Sequence, residues 1–322
     1  MMDLSMVSLF GTEITLYALL AGAGYLLLAG LMIFIAPRYK ISRKASLLYA
    51  LTAGLLGLFL GRLIFFLVRM DTLTYDEMGE YLGFAPFFDS AAGGVSVAGV
   101  MLGAVLAAPL CKKLTKERAA VLLDHAVLPA IAFFAFMRFI EPLSGEGYGI
   151  PLEDSPFAFA PLASYNEWSE AWMLNVAFIE GFLALIVGVI LFFLGRSFRK
   201  PGSLSLCCAL LLAVSQIIPE CFRCDDVLYI FIFARVTHIG LAVMLFLSLF
   251  IPLLLARKKG LGMGAFWREL ILMLLGIILC IGTIFALDKT NLPKLLIYGV
   301  MALTLAGLIF LTFRRIHKED IR

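Results

Sequence analysis

Residues 130–149 read AIAFFAFMRFIEPLSGEGYG, an apolar run that changes abruptly into a charged, glycine-rich one. Arg138 lies where the apolar run ends, and Glu141 and Glu146 follow it, with glycines at alternate positions from 145 to 149. A guanidinium, two carboxylates and a pliable backbone at a membrane boundary are suited to holding a charged headgroup. A surface loop with an interfacial arginine is the alternative interpretation.

The rest of the chain is overwhelmingly apolar, with 62% hydrophobic residues, 15% charged residues and a mean hydropathy of +1.00. A soluble domain cannot bury so much apolar surface, so the composition predicts a polytopic membrane protein. The chain starts Met1-Met2-Asp3 and lacks the cationic region of a secretory signal peptide. We therefore expect the first apolar span to be retained.

A spanning helix needs about 20 mainly apolar residues, and the chain contains nine such stretches. They are roughly 14–36, 45–68, 90–110, 119–137, 171–194, 202–219, 227–256, 270–287 and 295–313. The sequence thus predicts an all-α polytopic membrane protein of about nine transmembrane helices. The polar segment 138–170, which is rich in proline, is expected to form a small irregular outer cap between spans four and five.

The charges alternate in sign from one connection to the next. Most of the 26 basic residues follow the odd-numbered spans, at Arg38–Lys44, Lys112–Arg118, Arg196–Lys200, Arg257–Arg268 and Arg314–Arg322. The other connections are acidic, at Asp71–Glu80, Glu141–Glu170 and Glu220–Asp226. Because basic loops stay in the cytoplasm, the pattern predicts an N-terminus outside and a C-terminus inside.

Several polar residues fall at membrane depth, where a charge costs about 2.5–3.5 kcal/mol at a helix centre. Arg62 either snorkels to the interface or is functional. Glu180 lies too deep to snorkel easily, so it should pair with a cation or be protonated. Arg235 and His238 have i, i+3 spacing, which would place them on one face of span seven. Many of the polar residues gather in the outer half of the membrane, where a substrate could enter from the outer leaflet.

A collinear series of residues carries a resemblance to the prolipoprotein diacylglyceryl transferase family. The series comprises Tyr17, Gly61-Arg62, Gly93-Gly94, Ser96, Gly99, Gly103, Arg138, Gly145-Glu146, Tyr148-Gly149, Glu180-Gly181, Glu220, Arg223 and Asp226. The resemblance implies a seven-span core over residues 1–256, with spans eight and nine in a C-terminal extension, 257–322. It also implies transfer of a diacylglyceryl group from phosphatidylglycerol to a lipobox cysteine thiol at the outer face of the bacterial plasma membrane.

The resemblance further implies site residues and partners. The catalytic candidates are Arg138, Glu146 and Tyr17. The substrate-binding candidates are Arg62, Gly93, Gly94, Ser96, Gly99, Glu141, Gly149, Gln216, Glu220, Arg223, Arg235 and His238. The implied partners are phosphatidylglycerol and preprolipoprotein signal peptides, and no metal, cofactor or nucleic acid is expected.

Three positions depart from the family pattern. Ala98 stands where the family carries a histidine, Glu141 where it carries an asparagine, and Gln216 where it carries a second arginine. These changes weaken both anion binding and proton handling, although Arg235 and His238 are candidates to replace the missing groups. Three interpretations therefore stay open: a divergent transferase, a lipid-binding relative without catalysis, and an unrelated transporter. The transporter is disfavoured because the sequence contains no internal repeat.

Overall fold

The computed structural model describes residues 6–9, 12–75, 80–88, 94–152, 155–166, 169–225, 228–230 and 234–321. Within these residues, nine helices are long and apolar enough to cross a membrane. The predicted class, an all-α polytopic membrane protein of about nine transmembrane helices, is confirmed.

The long helices are α1 (Leu16–Ile35), α2 (Arg43–Val68), α5 (Val97–Thr115), α6 (Ala119–Ile140), α7 (Val176–Leu194), α8 (Ser203–Glu220), α9 (Val236–Lys258), α10 (Met263–Lys289) and α11 (Lys294–Ile321). Short helical elements are α3 (Met70–Leu73), α4 (Ala85–Phe88) and the 3-10 turns Ala36–Tyr39 and Glu141–Ser144. The strands are β1 (Met6–Leu9), β2 (Thr12–Thr15), β3 (Tyr148–Pro151), β4 (Ala163–Asn166), β5 (Ala171–Asn175), β6 (Tyr229–Ile230) and β7 (Ala234–Arg235).

Three spans begin later than their apolar runs. Span three begins at Val97 instead of near residue 90, and residues 94–96 before it are not helical. Glycine has a low preference for the helix, which explains why Gly94 does not belong to it. Spans five and seven begin at 176 and 236 because the residues before them pair as strands β5 and β7.

The chain divides into two compact units. The first unit takes in Met1–Phe133 and Asp225–Gly240, and the second takes in Phe134–Cys224 and Leu241–Arg322.

In the first unit, α2 and α5 pack at very short range. A Cβ added to Gly99 would lie 2.4 Å from the Leu60 carbonyl oxygen, and one added to Gly103 would lie 2.5 Å from the Gly57 nitrogen. Only glycine permits this approach of two backbones. The G-x-x-x-G pairs Gly57/Gly61 and Gly99/Gly103 thus allow the close packing of α2 and α5.

The second unit contains a small sheet beside its helices. The strand order is β3-β5-β4, and both pairings are antiparallel. The segment 138–170, expected to be irregular, therefore contributes two strands to a small antiparallel sheet. Asn175 ends β5 and caps α7, since its Oδ1 accepts a hydrogen bond of 3.0 Å from the Phe178 N–H.

Candidate functional site

Arg138 is a buried helical residue and not part of a surface loop. The helix α6 continues past it to Ile140, and the following 3-10 turn starts at Glu141. Arg138 is 5% exposed and Glu141 is 7% exposed. The Arg138 Nη1 atom donates a hydrogen bond of 2.5 Å to Oε2 of Glu141. The alternative of an interfacial loop arginine is therefore wrong for this residue.

A second guanidinium reaches the same carboxylate. Arg223 follows α8, and its Nη2 atom donates to Oε1 of Glu141 at 2.7 Å. Glu141 thus joins Arg138 and Arg223 through its two oxygens. Gly149 bridges to Arg223 through the backbone, and a side chain at Gly149 would meet Val176 and the Phe222 carbonyl oxygen. The close approach at Gly149 holds the Arg223 backbone against β3.

Glu180 completes the group from α7 and is fully buried. Its Oε2 atom lies 3.1 Å from Nε of Arg138 and 3.7 Å from Nη1 of Arg223. Neither contact has hydrogen-bond geometry among the described residues, so the attraction is mainly between charges. The expectation that Glu180 pairs with a cation is confirmed by these distances.

We call Arg138, Glu141, Glu180 and Arg223 the charged cluster. It brings together residues from α6, the turn after it, α7 and the segment after α8. Glu180 is not among the candidate site residues predicted from the sequence. Its position deep in an apolar span was the sequence feature that indicated a site there.

Two further candidates lie beside the cluster on α8. Gln216 is buried, and its Nε2 atom donates to the Glu180 carbonyl oxygen at 3.3 Å and to Ser215 Oγ at 3.1 Å. Glu220 is also buried and interacts electrostatically with Glu180. With Glu220 included, two guanidiniums face three carboxylates, a net charge of −1 when all are ionised. Such a group is not by itself a strong anion site.

Arg62, in the first unit, is bonded to backbone carbonyls. Its Nε donates to the Phe87 oxygen at 3.0 Å, its Nη1 to Gly94 at 3.1 Å and its Nη2 to Pro86 at 2.5 Å. The guanidinium thus ties three backbone carbonyls to α2, and its assignment to substrate binding stays a prediction. These bonds fasten the segment that precedes α5.

The other candidates on α5 and the segment before it have packing contacts. Ser96 is buried and its N–H donates to the Gly61 oxygen at 3.0 Å. Gly99 lies at the contact with α2, as described above. Gly93 lies outside the described residues. At the position of the family histidine, the Ala98 side chain packs against Gly240, where an added Cβ would be 3.1 Å from it.

The remaining candidates are spread over the chain. Tyr17 is half-buried in the first turn of α1, whereas Glu146 is exposed in the loop before β3. Arg235 ends β7, and the helix that carries His238 starts one residue later. The expected i, i+3 pair on one helical face is therefore wrong. The Arg235 guanidinium instead lies 5.7 Å from the centre of the Tyr229 ring.

The geometry defines a multi-pass membrane protein with a buried, ion-paired polar cluster among its helices. The family model of prolipoprotein diacylglyceryl transferase matches residues 5–256. Since this match covers well over half of the chain, the protein belongs to that family, whose members are membrane transferases of lipoprotein biosynthesis. No curated protein matches the chain significantly.

Proposed function

We propose that this protein is a divergent phosphatidylglycerol-prolipoprotein diacylglyceryl transferase. The single observation that carries the proposal is the meeting of two buried guanidiniums, Arg138 and Arg223, around one carboxylate. Two adjacent guanidiniums present planar forks of donors that match the oxygens of a phosphodiester. Family membership supplies the reaction type, and these two residues supply groups that recognise the donor.

In the proposed reaction, the cysteine sulfur of the lipobox attacks the diacylglyceryl carbon that carries the phosphate. A carbon–sulfur bond forms, the carbon–oxygen bond to phosphate breaks, and glycerol phosphate leaves with the bonding electrons. Arg138 and Arg223 stabilise the charge on the departing phosphate. The thiol loses its proton before attack, and a carboxylate near the thiol is a suitable acceptor.

The topology and the domain division belong to the same proposal. Basic loops on one side support an N-terminus outside and a C-terminus inside the bacterial plasma membrane. On this orientation the charged cluster lies near the outer ends of α6 and α8. The match to the family ends at residue 256, which supports a core of residues 1–256 and an extension of residues 257–322.

Tyr17, Arg62 and Glu146 remain in the proposal as candidates from the sequence. Tyr17 and Glu146 are proposed for catalysis together with Arg138. Arg62 is proposed to act on the substrate indirectly, because its guanidinium holds the carbonyls of the segment before α5.

A lipid-binding relative without catalysis is the second candidate function. One observation favours it: Glu141 already occupies both guanidiniums in the place where an anionic headgroup would bind. An anionic lipid would have to compete with this internal carboxylate.

The test is to express the full-length chain in a transferase-depleted bacterial strain and to analyse a lipobox peptide by mass. Purified protein is also incubated with vesicles that contain phosphatidylglycerol and with the same peptide. Rescue of growth together with the mass of one added diacylglyceryl group supports the transferase. Lipid binding without any added mass supports the second candidate, and absence of both contradicts the whole proposal.

A further inference from the structure

Within the second unit, the last helix, α11, contacts the chain near both ends of α8. At the C-terminal end of α8, the Phe222 and Tyr298 rings stack with centroids 5.0 Å apart and planes at 17°. Phe222 directly precedes Arg223 of the charged cluster. The contact therefore lies one residue away from a cluster guanidinium.

At the other end, Asp320 binds the backbone that leads into α8. Its Oδ1 atom accepts from the Lys200 N–H at 2.8 Å and from Ser203 Oγ at 2.9 Å. Its Oδ2 atom accepts from the Arg199 N–H at 2.9 Å. These bonds tie the C-terminal end of α11 to the turn that leads into α8.

Between the two ends, α8 and α11 share an apolar core. The core includes Leu210, Ala213 and Ile217 of α8 and Met301, Leu305 and Leu308 of α11. Apolar packing, the Tyr298–Phe222 stack and the Asp320 hydrogen bonds thus connect α11 to α8 and to the segments at both of its ends.

This arrangement matters because α8 and the residues after it carry much of the polar site. Gln216 and Glu220 lie on α8, and Arg223 follows it by three residues. The segment 221–224 is also held by backbone bonds: the Cys224 N–H donates to the Tyr148 oxygen at 2.9 Å, and the Phe222 N–H donates to the Pro219 oxygen at 2.8 Å. From the extension, the Tyr298 ring contacts this segment by stacking on Phe222.

We propose that α11 is a positioning element for the charged cluster, and that Tyr298 is the positioning residue that keeps Arg223 on Glu141. The extension is then a functional part of the site and not an independent appendage. The inference rests on the proposed function only where the KM for lipid is measured.

Native cysteines on both sides of Arg223 allow a direct test. Cys224 is exposed and Cys221 is half-buried. The full-length protein is treated with a maleimide in detergent, and labelling of each cysteine is followed by peptide mass. Loss of the stack in Tyr298→Ala should release Phe222 and raise the labelling rate of Cys221 by roughly three- to tenfold. Labelling of Cys224 serves as the reference in each sample.

Three further variants keep the test interpretable. Tyr298→Phe retains the ring and should label like the wild type. Leu303→Ala removes bulk from α11 at an exposed position and should also leave the rate unchanged. Tyr298→Leu keeps apolar volume but loses the aromatic stack. It therefore replaces Tyr298→Ala in the test if that variant fails to fold. A wild-type labelling rate in both Tyr298→Ala and Tyr298→Leu would overturn the inference.

The second measurement separates positioning from general stability. With phosphatidylglycerol vesicles and a lipobox peptide, Tyr298→Ala should raise the KM for lipid several-fold. In an Arg223→Ala background the same change should have little further effect, because both act on one contact. Fully additive effects would count against positioning. Absence of transfer in the wild type would contradict the proposed function, and the labelling comparison would still decide the role of α11.

Discussion

At the scale of single residues, Glu141 controls the electrostatics of the site. One carboxylate accepts hydrogen bonds from Arg138 and Arg223 at 2.5 and 2.7 Å, and a second carboxylate, Glu180, lies 3.1 Å from Arg138. Buried charges are tolerated only when they are paired, which explains why these four residues lie together. The same pairing reduces the positive field available to a phosphate.

Replacing Glu141 with glutamine should strengthen binding of an anionic lipid. The change removes one negative charge from the proposed headgroup site; repulsion between two unit charges about 8 Å apart is worth about 2 kcal/mol at an effective dielectric constant of about 20. We expect the Kd for phosphatidylglycerol vesicles to fall roughly tenfold or more, measured by flotation of the purified protein. The exposed Glu170→Gln variant is the control and should bind like the wild type. Weaker binding by Glu141→Gln would show that Glu141 supports the site more than it competes with the lipid.

Arg138 and Arg62 should respond differently to substitution. Arg138→Ala leaves Glu141 and Glu180 with one guanidinium fewer, so lipid turnover should be lost, and binding should weaken by about 2–5 kcal/mol. Arg62→Lys should mainly lower thermal stability, because an ammonium cannot reproduce bonds to three carbonyls. Lipid turnover and melting temperature are measured on the same preparations. Full lipid turnover by the Arg138→Ala variant would contradict the assignment of Arg138 to the site.

At the scale of elements, short-range packing determines where the polar groups come to lie. The helices α2 and α5 touch through Gly57, Gly61, Gly99 and Gly103, and Gly149 has a comparable close contact beside Arg223. Elements that start late, such as α5 at Val97, do so because their first residues have a different backbone conformation or pair as strands. Apolar character alone predicts that a span exists, but it does not predict the residue at which the helix starts.

Gly103→Ala should destabilise the contact between α2 and α5. An added Cβ would lie 2.5 Å from backbone atoms of Leu56 and Gly57, so one helix must shift. Overpacking of this kind costs about 1–3 kcal/mol. The matched control is Gly30→Ala on α1, where no atom lies within 4 Å of the added Cβ. Thermal unfolding in detergent should show a lower midpoint for Gly103→Ala alone, and equal midpoints would contradict the packing role.

At the scale of the whole molecule, the proposed orientation rests on the charge of the connections. The basic residues follow the odd-numbered spans, and the acidic residues follow the even-numbered spans up to span six. The nine candidate spanning helices found in the described residues are an odd number, so the proposed topology has its two termini on opposite sides of the membrane.

Reporter fusions test this orientation. A fluorescent reporter that matures only in the cytoplasm should be active after Arg322, and a reporter active only outside should work after Ser155 in the cap. The inverse pattern would overturn the proposed topology and, with it, the outer location of the charged cluster.

Much of this architecture could be read directly from the sequence. Composition and apolar runs determined the membrane class and the number of spans, because burial of apolar residues in lipid depends on local sequence alone. The charge alternation predicted the orientation, because the charge of each connection can also be counted from local sequence. The need for a partner at Glu180 also followed from a local fact, the cost of a charge at membrane depth.

The tertiary structure alone decided which residues meet. Arg138, Glu180 and Arg223 come from three separate elements, and no local pattern encodes a distance of 3.1 Å or 3.7 Å between them. The same holds for Arg62, whose carbonyl partners lie beyond the end of α2, and for Tyr298, whose ring stacks on Phe222 from the extension. Local periodicity specifies each helix, whereas ion pairs and ring contacts between helices depend on how their surfaces pack together.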